Sequence, residues 1–336
     1  MAKVDAVFEG GGVKGIGLVG AVSEVEKAGY EFECLAGTSA GAIVAALLAV
    51  GYTAEELKAE LERLDYQQFK DESVIDRFGI IGKGLSIGFE YGIYEGNYFE
   101  QWLETLLQAK GKTTFGDVKL TETGDPKYHY KLQIIATDLT ERRLLVLPQA
   151  LQDFGFLPEK FSIARAVRMS MSIPVFFEPV QLEDSTGHIH IIVDGGVLSN
   201  YPIWLLDDGT CDPPWPTFGF KLIEPDKRRL KGPENNPILN AWNFLTAIAS
   251  TMMDAHDNYH ISESKGDYER TIGISTRIAM EEGENVIKAT DFDLSQEAGE
   301  RLYQNGMEAA TEFLRHWDFD AWKRTYRNLP ACSEKK

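Results

Sequence analysis

The sequence predicts an α/β fold of three layers, in which a central, mostly parallel sheet lies between two layers of helices. The chain begins with a strand, a helix and a second strand, and such a βαβ unit places its two strands parallel. Apolar strands then recur between helical segments from residue 4 to residue 275. A length of 336 residues with 43% hydrophobic residues is enough to bury a sizeable core.

The elements follow from local patterns of apolar residues and from the residues that stop them. Gly29 and Gly51 end the first two helices, Thr53 and Glu56 form a capping box at the start of the third, and Pro174 stops a later one. The predicted strands are residues 4–8, 32–36, 130–137, 144–147, 188–193, 217–223 and 270–275. The predicted helices are residues 13–28, 42–50, 53–64, 97–109, 161–171, 237–262 and 295–317.

The recurring strands predict one domain over residues 1–330, because no repeat or low-complexity linker divides them. Residues 331–336 are expected to be a flexible polar tail. Residues 78–96 stand apart, since glycines alternate there with large apolar side chains. This stretch is either an irregular loop that covers the core or a mobile apolar flap.

The composition limits the kinds of partner that the protein is expected to bind and the cellular compartment in which it is expected to work. A formal net charge of −18 argues against nucleic acid and against unassisted docking on anionic membranes. Asp5 and Glu9 interrupt the first apolar stretch, which therefore cannot be the core of a secretory signal. Cys34, Cys211 and Cys332 are odd in number and form no CxxC pair, so neither a disulfide framework nor a zinc site is indicated. We therefore expect a cytoplasmic protein.

Ser39 lies in the sequence Gly37-Thr38-Ser39-Ala40-Gly41, between the second strand and a helix of small residues. A serine on such a tight turn has strained backbone angles and tolerates only small neighbours, which is typical of a nucleophile elbow. The N-terminus of the following helix also favours negative charge that develops at the serine.

A second match to the elbow pattern surrounds Ser86, between Gly84 and Gly88. No predicted strand precedes it, no helix follows it, and the β-branched Ile87 stands beside the serine. The context therefore favours Ser39.

A glycine loop, residues 9–15, follows the first strand and allows two interpretations. Its backbone N–H groups could stabilise an oxyanion at the start of the first helix. Gly10, Gly12 and Gly15 also satisfy the dinucleotide-binding pattern G-x-G-x-x-G. That pattern requires an acid near the end of the second strand, whereas Glu31 and Glu33 stand at its beginning.

Asp194 is the candidate base for Ser39. It ends a predicted strand, precedes Gly195 and Gly196, and is expected at the carboxyl edge of a parallel sheet beside Ser39. A carboxylate in a dry pocket can accept a serine proton directly. A turn-forming Asp-Gly pair is the alternative. The six histidines have no distinctive setting, and His188 and His190 are expected to be partly exposed.

Together these motifs resemble the patatin-like phospholipases. The resemblance rests on residues 10–15, 37–41 and 194–196, and on the block from 166 to 174. It spans about residues 4–205 and leaves an extension over residues 206–326. It implies a patatin-like variant of the α/β-hydrolase type of fold.

The resemblance also implies roles for single residues. Ser39 would be the nucleophile and Asp194 the base of a Ser-Asp dyad, and Gly11 and Gly12 would donate N–H groups to the oxyanion. Lys14 would contact the substrate, although it stands where many members have arginine and so lacks the bidentate fork. The remaining motif glycines are Gly10, Gly15, Gly37, Gly41, Gly195 and Gly196.

The implied reaction is hydrolysis of acyl esters in phospholipids or related lipids through an acyl-enzyme, without metal or cofactor. The expected partner is the lipid substrate, with transient contact to a membrane surface. Two other functions stay open at this point: a dinucleotide-binding oxidoreductase that uses residues 10–15, and a non-catalytic lipid-binding module of the same fold.

Overall fold

The computed structural model describes residues 1–64, 92–120, 128–207, 209–223, 266–280, 283–287 and 294–327. Several predictions from the sequence fall outside these residues: the helix at 237–262, the elbow pattern around Ser86, most of the stretch 78–96, and the tail 331–336.

The described elements are numbered in chain order. The strands are β1 (Ala2–Phe8), β2 (Tyr30–Thr38), β3 (Gly92–Tyr94), β4 (Leu132–Asp138), β5 (Arg143–Leu147), β6 (Val175–Phe177), β7 (Val180–Glu183), β8 (Ile189–Asp194), β9 (Thr217–Ile223), β10 (Thr271–Ser275), β11 (Arg277–Met280) and β12 (Gly283–Val286). The helices are α1 (Gly15–Lys27), α2 (Ala40–Val50), α3 (Ala54–Arg63), α4 (Asn97–Ala109), α5 (Ile163–Ser170), α6 (Gln296–His316) and α7 (Phe319–Tyr326).

These elements confirm the predicted α/β class and its three layers. The main sheet has the order β10-β9-β1-β2-β4-β8-β7, with β5 also paired to β4. The strands from β10 to β4 are parallel, whereas β5 and β8 run antiparallel to β4. The sheet is therefore mixed, with its parallel part formed by the predicted βαβ start and by the C-terminal strands.

Two strands meet head-on along one edge of β4. Residues 132–135 of β4 pair with β2, and residues 136–138 pair with β8. Strand β5 pairs with residues 134–138, which include positions that pair with β2 and positions that pair with β8. It must therefore occupy the opposite edge of β4. Thr38 pairs with Ile135, and Asp194 pairs with Ala136. The last residues of β2 and β8 therefore arrive at neighbouring positions of β4 from opposite directions.

The main core fills the space between the sheet and the helices on one face. Helix α2 is buried along its whole length, and alternate β1 residues such as Val4, Ala6 and Phe8 point into the same core. A smaller core on the other face contains Val7 and Ile135 together with residues 201–206. Apolar side chains thus cover both faces of the sheet, as the central strand of a three-layer fold requires.

Helix α6 crosses α1 at glycines. A Cβ at Gly20 would lie 2.0 Å from the carbonyl oxygen of Tyr303, and one at Gly306 would lie 2.0 Å from that of Gly17. The two backbones therefore approach more closely than any side chain would allow. This contact joins the C-terminal extension to the helix that follows the glycine loop.

The extension also completes the sheet. Strand β9 pairs in parallel with β1, and β10 pairs with β9. The edge of β1 that faces away from β2 is covered only because the chain returns to it more than 200 residues later. The sequence had predicted both strands but not their places in the sheet.

The cysteines correct one expectation. Cys34 is a buried free thiol, whereas Cys211 is disulfide-bonded. The sequence had indicated no disulfide, because the spacing of three cysteines does not show which of them approach each other in the fold. Within the described ranges, no helix is both long enough and apolar enough to cross a membrane.

Candidate active site

Ser39 occupies a strained turn between β2 and α2. Its backbone angles are φ 53° and ψ −126°, in a region that residues other than glycine rarely adopt. A Cβ at Gly41 would lie 2.4 Å from the carbonyl oxygen of Phe8, and one at Gly37 would lie 2.3 Å from that of Gly41. The small residues of the motif therefore allow the turn to pack against the end of β1.

Ser170, the last residue of α5, supports this turn. The Ser39 N–H donates to Ser170 Oγ at 2.8 Å, and the Ser170 hydroxyl donates to the Ile135 carbonyl at 2.6 Å. Both serines are fully buried. One hydroxyl thus links the strained residue to β4, the strand on which β2 and β8 meet.

The glycine loop lies directly beside the elbow. A Cβ at Gly10 would lie 3.1 Å from the Cβ of Ser39 and only 2.2 Å from Oδ1 of Asn200. The Gly10 N–H donates to the Asn200 carbonyl at 3.0 Å, and Asn200 Nδ2 donates back to the Gly10 carbonyl at 3.1 Å. These reciprocal bonds fix the position at which the loop leaves β1.

The next two residues present unused N–H groups. Gly12 has φ +56°, a left-handed conformation that favours glycine, and it begins a 3₁₀ turn that ends at Lys14. Within the described part of the chain, the N–H groups of Gly11 and Gly12 donate no hydrogen bond. They can therefore serve an oxyanion held above the loop.

Lys14 folds back over this loop. It is buried, and its Cε lies 3.6 Å from the position that a Cβ on Gly11 would take. Its positive charge therefore stands close to the N–H groups of the loop.

Glu9 connects the same loop to the C-terminal extension. The Glu9 carboxylate accepts a bond from Lys221 Nζ at 2.7 Å and another from the Leu222 N–H. Strand β9 thereby holds the start of the glycine loop in place, a connection that the sequence motifs alone did not indicate.

Asp194 is fully buried at the end of β8. Its Oδ1 accepts the Gly196 N–H at 2.7 Å, and its own N–H donates to the Ser172 carbonyl at 2.9 Å. Burial raises the pKa of Asp194 to about 7, although the Gly196 N–H and the neighbouring Ser39 hydroxyl both lower it. The other oxygen, Oδ2, is buried and has no well-aligned hydrogen-bond partner among the described residues.

The head-on meeting of β2 and β8 brings Ser39 and Asp194 together. In this arrangement Ser39 Oγ lies 3.5 Å from Met171 Sδ, a weak acceptor. The sequence had placed Asp194 at the carboxyl edge of parallel strands. That part was wrong, because β8 is antiparallel to β4 and reaches the serine from the opposite side.

An apolar pocket begins at the elbow. Its cavity volume is about 30 Å³, and its lining includes Gly12 of the glycine loop and Ala40, the residue after Ser39. All the described residues that line it are apolar or glycine. Further lining side chains are Ile16, Ile43, Val44, Leu61 and Ile173. Such a space next to a serine suits an alkyl chain.

The two histidines of the segment that leads to Asp194, His188 and His190, play no part in this site. His190 is buried rather than partly exposed, because its Nδ1 lies 2.9 Å from Oδ2 of Asp138 and its ring packs against Phe154. His188 is exposed, as expected. His190 lies four residues before Asp194 on β8, well away from Ser39.

The dinucleotide interpretation also fails on geometry. Glu31 pairs with Lys3 at the opening of β2, and Glu33 forms an ion pair with Lys3 at 3.1 Å. Both acids therefore lie at the opposite edge of the sheet from the glycine loop, too far to hold a ribose there.

Comparison with known proteins agrees with these features. Residues 6–207 match the family described as patatin-like phospholipase. The chain belongs to this family. Membership supports hydrolysis of lipid acyl esters by this patatin-like protein.

Several relatives resemble the patatin-like chain over different lengths. It is 39% identical over 320 residues to the uncharacterized protein YqhO of Bacillus subtilis (strain 168), with 94% of this chain and 99% of YqhO covered. It is 27% identical over 215 residues to a cUMP-AMP-activated phospholipase of Escherichia coli, with 60% of this chain and 58% of that protein covered.

Among solved structures, VipD from Legionella pneumophila matches this patatin-like fold with a TM-score of 0.53 and 20% identity. The match covers 93% of this chain and 66% of VipD, and it concerns the fold alone. The chain thus spans less than two thirds of both VipD and the Escherichia coli phospholipase.

Proposed function

We propose that this protein hydrolyses carboxylic esters of phospholipids or related lipids through a Ser-Asp dyad formed by Ser39 and Asp194. The observation that carries this proposal is the meeting of β2 and β8 on β4. It places a serine with strained backbone beside a buried carboxyl whose pKa of about 7 suits a base at neutral pH.

In the first half of the reaction, Ser39 Oγ attacks the ester carbonyl while Asp194 Oδ2 takes the hydroxyl proton. The carbonyl oxygen becomes negative and accepts hydrogen bonds from the N–H groups of Gly11 and Gly12. The tetrahedral intermediate then collapses, the bond to the alcohol breaks, and Asp194 returns the proton to the leaving oxygen. An acyl-enzyme on Ser39 remains.

In the second half, water attacks the acyl-enzyme and gives a proton to Asp194. The same N–H groups stabilise the second oxyanion, and its collapse releases the fatty acid while Ser39 regains its proton from Asp194. Atoms and charges balance without a metal or a cofactor, because the dyad carries one proton back and forth.

The apolar pocket is proposed to hold the acyl chain. It starts at Gly12 and Ala40, so an ester carbonyl at the elbow would direct its alkyl chain between α1, α2 and α3. Each methylene buried there contributes about 0.8 kcal/mol. A long acyl chain would therefore bind far better than an acetyl group.

Lys14 is proposed to favour phosphate-containing substrates. Its positive charge lies beside the N–H groups of Gly11 and Gly12, so a phosphate on the leaving alcohol would find a favourable potential near the loop. The relative from Escherichia coli is named a phospholipase, which agrees with this substrate class. Lys14→Met should lower kcat/KM for phospholipids more than for uncharged p-nitrophenyl esters.

The deciding experiment compares the purified wild type with Ser39→Ala and Ser23→Ala on defined phospholipids, with products identified by mass spectrometry. Ser23 is a buried serine on α1 whose hydroxyl binds the Gly20 carbonyl, and it therefore serves as a matched control. Released fatty acid should disappear with Ser39→Ala and persist with Ser23→Ala.

A fluorophosphonate probe supplies an independent measurement. It should label the wild type and Ser23→Ala once per chain and leave Ser39→Ala unlabelled. A folded wild type that takes no label and releases no fatty acid would instead indicate a non-catalytic lipid-binding module.

A further inference from the structure

The acyl pocket has a second apolar cavity behind it. This cavity is small, about 10 Å³, and is lined by Gly96, Phe99, Arg168, Met171 and Phe177. Met171 also lines the acyl pocket, and no other described residue lines both spaces. Its side chain is therefore the partition between them.

The backbone of Met171 is held on both sides by the catalytic machinery. Ser170 before it supports the Ser39 N–H, and the carbonyl of Ser172 after it accepts the Asp194 N–H. The Met171 N–H itself bonds to the Val167 carbonyl at 2.9 Å. The partition can consequently move only through rotation of the thioether side chain, which is unbranched and adaptable.

Hydrogen bonds of Arg168 hold the walls of the rear cavity. The Arg168 guanidinium is bonded to the carbonyls of Glu95 and Glu178 and to the Ser172 hydroxyl at 2.6 Å. These bonds tie the strand β3 and the segment after β6 to α5, so the walls of the cavity are fixed. With its polar groups engaged, Arg168 leaves a small apolar space flanked by Phe99 and Phe177, and removal of the Met171 side chain would enlarge it.

We propose that Met171 sets the length of acyl chain that the enzyme accepts, by closing the acyl pocket against the rear cavity. This inference rests on the proposed esterase function and adds its chain-length selectivity. Met171 Sδ lies 3.5 Å from Ser39 Oγ, so the partition stands where the first carbons of the acyl chain must pass. Removal of the side chain would join the two spaces and lengthen the channel.

The test measures kcat/KM for p-nitrophenyl esters with acyl chains of about 4 to 16 carbons, where each methylene that fits should raise kcat/KM about fourfold. The wild type should reach its maximum where the acyl pocket is filled. Met171→Ala should move this maximum to chains longer by about two carbons, because the variant frees the volume of the methionine side chain and joins it to the small rear space. Met171→Phe should move it in the opposite direction.

Two further variants separate selectivity from general damage. Met171→Leu keeps about the same volume, so the chain length at the maximum should stay in place whatever its effect on the rate. Met169→Ala removes a buried methionine of α5 that lines neither space, and it should leave the profile in place.

Labelling by a fluorophosphonate normalises each profile to the number of competent serines. If wild type, Met171→Ala and Met171→Phe share one maximum while all are labelled, the role of Met171 is overturned and the esterase function stands. If Met171→Ala does not fold, Met171→Phe still decides between the two outcomes. Absence of both labelling and hydrolysis in the wild type would overturn the proposed function itself.

Discussion

Ser170 Oγ stands between two backbone groups, accepting the Ser39 N–H at 2.8 Å and donating to the Ile135 carbonyl at 2.6 Å. The donor residue is the proposed nucleophile, and the acceptor residue lies on β4 beside the position that pairs with Asp194. The hydroxyl therefore couples the strained turn to the strand that also places the proposed base. In the proposed mechanism Ser170 is a positioning residue, because it bonds to backbone groups and to no reacting atom.

Ser170→Ala should lower kcat by about 10- to 100-fold while KM changes little, because the elbow loses the acceptor of its N–H and relaxes from the reactive geometry. The free energy of unfolding should fall by about 1–3 kcal/mol, since two buried polar groups lose a partner. Both are measured by steady-state kinetics and urea unfolding.

Ser172→Ala is the matched control for that variant. Ser172 is equally buried, and its hydroxyl bonds to the guanidinium and carbonyl of Arg168 rather than to the elbow. It should lose a similar amount of stability with a much smaller loss of kcat. Equal losses of kcat in both variants would mean that Ser170 acts only through general stability.

Activity should follow the ionisation of Asp194. Because burial raises the pKa of Asp194 to about 7, kcat/KM for a soluble ester should fall about tenfold per pH unit below that value. Asp194→Asn should lose nearly all activity at every pH. A wild-type profile that stays flat down to about pH 5 would contradict a carboxylate base with a raised pKa.

Stability should show the opposite dependence on pH. The folded pKa of Asp194 is raised above its usual value, so the folded state binds its proton more tightly than the unfolded state does. The contribution of this group is therefore favourable at low pH and is lost as pH rises toward about 7, at roughly 1.4 kcal/mol per pH unit.

Asp194→Asn should consequently be more stable than the wild type at pH values above 7, by an amount on the order of 2–4 kcal/mol, and should lose this advantage at acid pH. The asparagine Oδ1 can still accept the Gly196 N–H, so the turn is preserved. Urea unfolding at several pH values measures the difference. A constant difference across pH would show that Asp194 titrates alike in the folded and unfolded chains.

The crossing of α1 and α6 should not tolerate a side chain at Gly306. A Cβ there would lie 2.0 Å from the Gly17 carbonyl oxygen, so Gly306→Ala must push the helices apart, at a cost of about 2–3 kcal/mol. Gly299→Ala on the same helix meets only side-chain carbons at 3.8 Å and 3.9 Å and should gain stability through helix propensity. Thermal unfolding compares the two variants. Similar melting temperatures would contradict a close backbone contact between α1 and α6 at Gly306.

The sequence predicted those parts of the fold and the site whose determinants are local. Helix α4 and strand β9 have the predicted bounds, because a capping pattern or an apolar run specifies them without help from distant residues. The elbow at Ser39 was predictable for the same reason. Its tight turn requires small neighbouring residues, and all of them lie within five residues of sequence. Asp194 was singled out by its position between a strand and two glycines.

Pairing between distant segments could not be predicted. The direction of β8, the burial of His190 against Asp138 and the short strands β6 and β7 depend on partners far along the chain. Ser170 and Met171 reach Ser39 across 131 and 132 residues. Their block carries part of the family resemblance, yet its sequence does not indicate a contact with Ser39.

Strand β9 has a consequence for how this family can diversify. The match to the family ends at residue 207, but β9 begins at Thr217, pairs with β1, and supplies the Leu222 N–H that holds Glu9. A chain cut at that boundary would leave a bare strand edge next to its own glycine loop, open to pairing with other chains. A patatin-like chain that lacks the extension would therefore need another segment in place of β9, so the C-terminal segment and the glycine loop depend on each other.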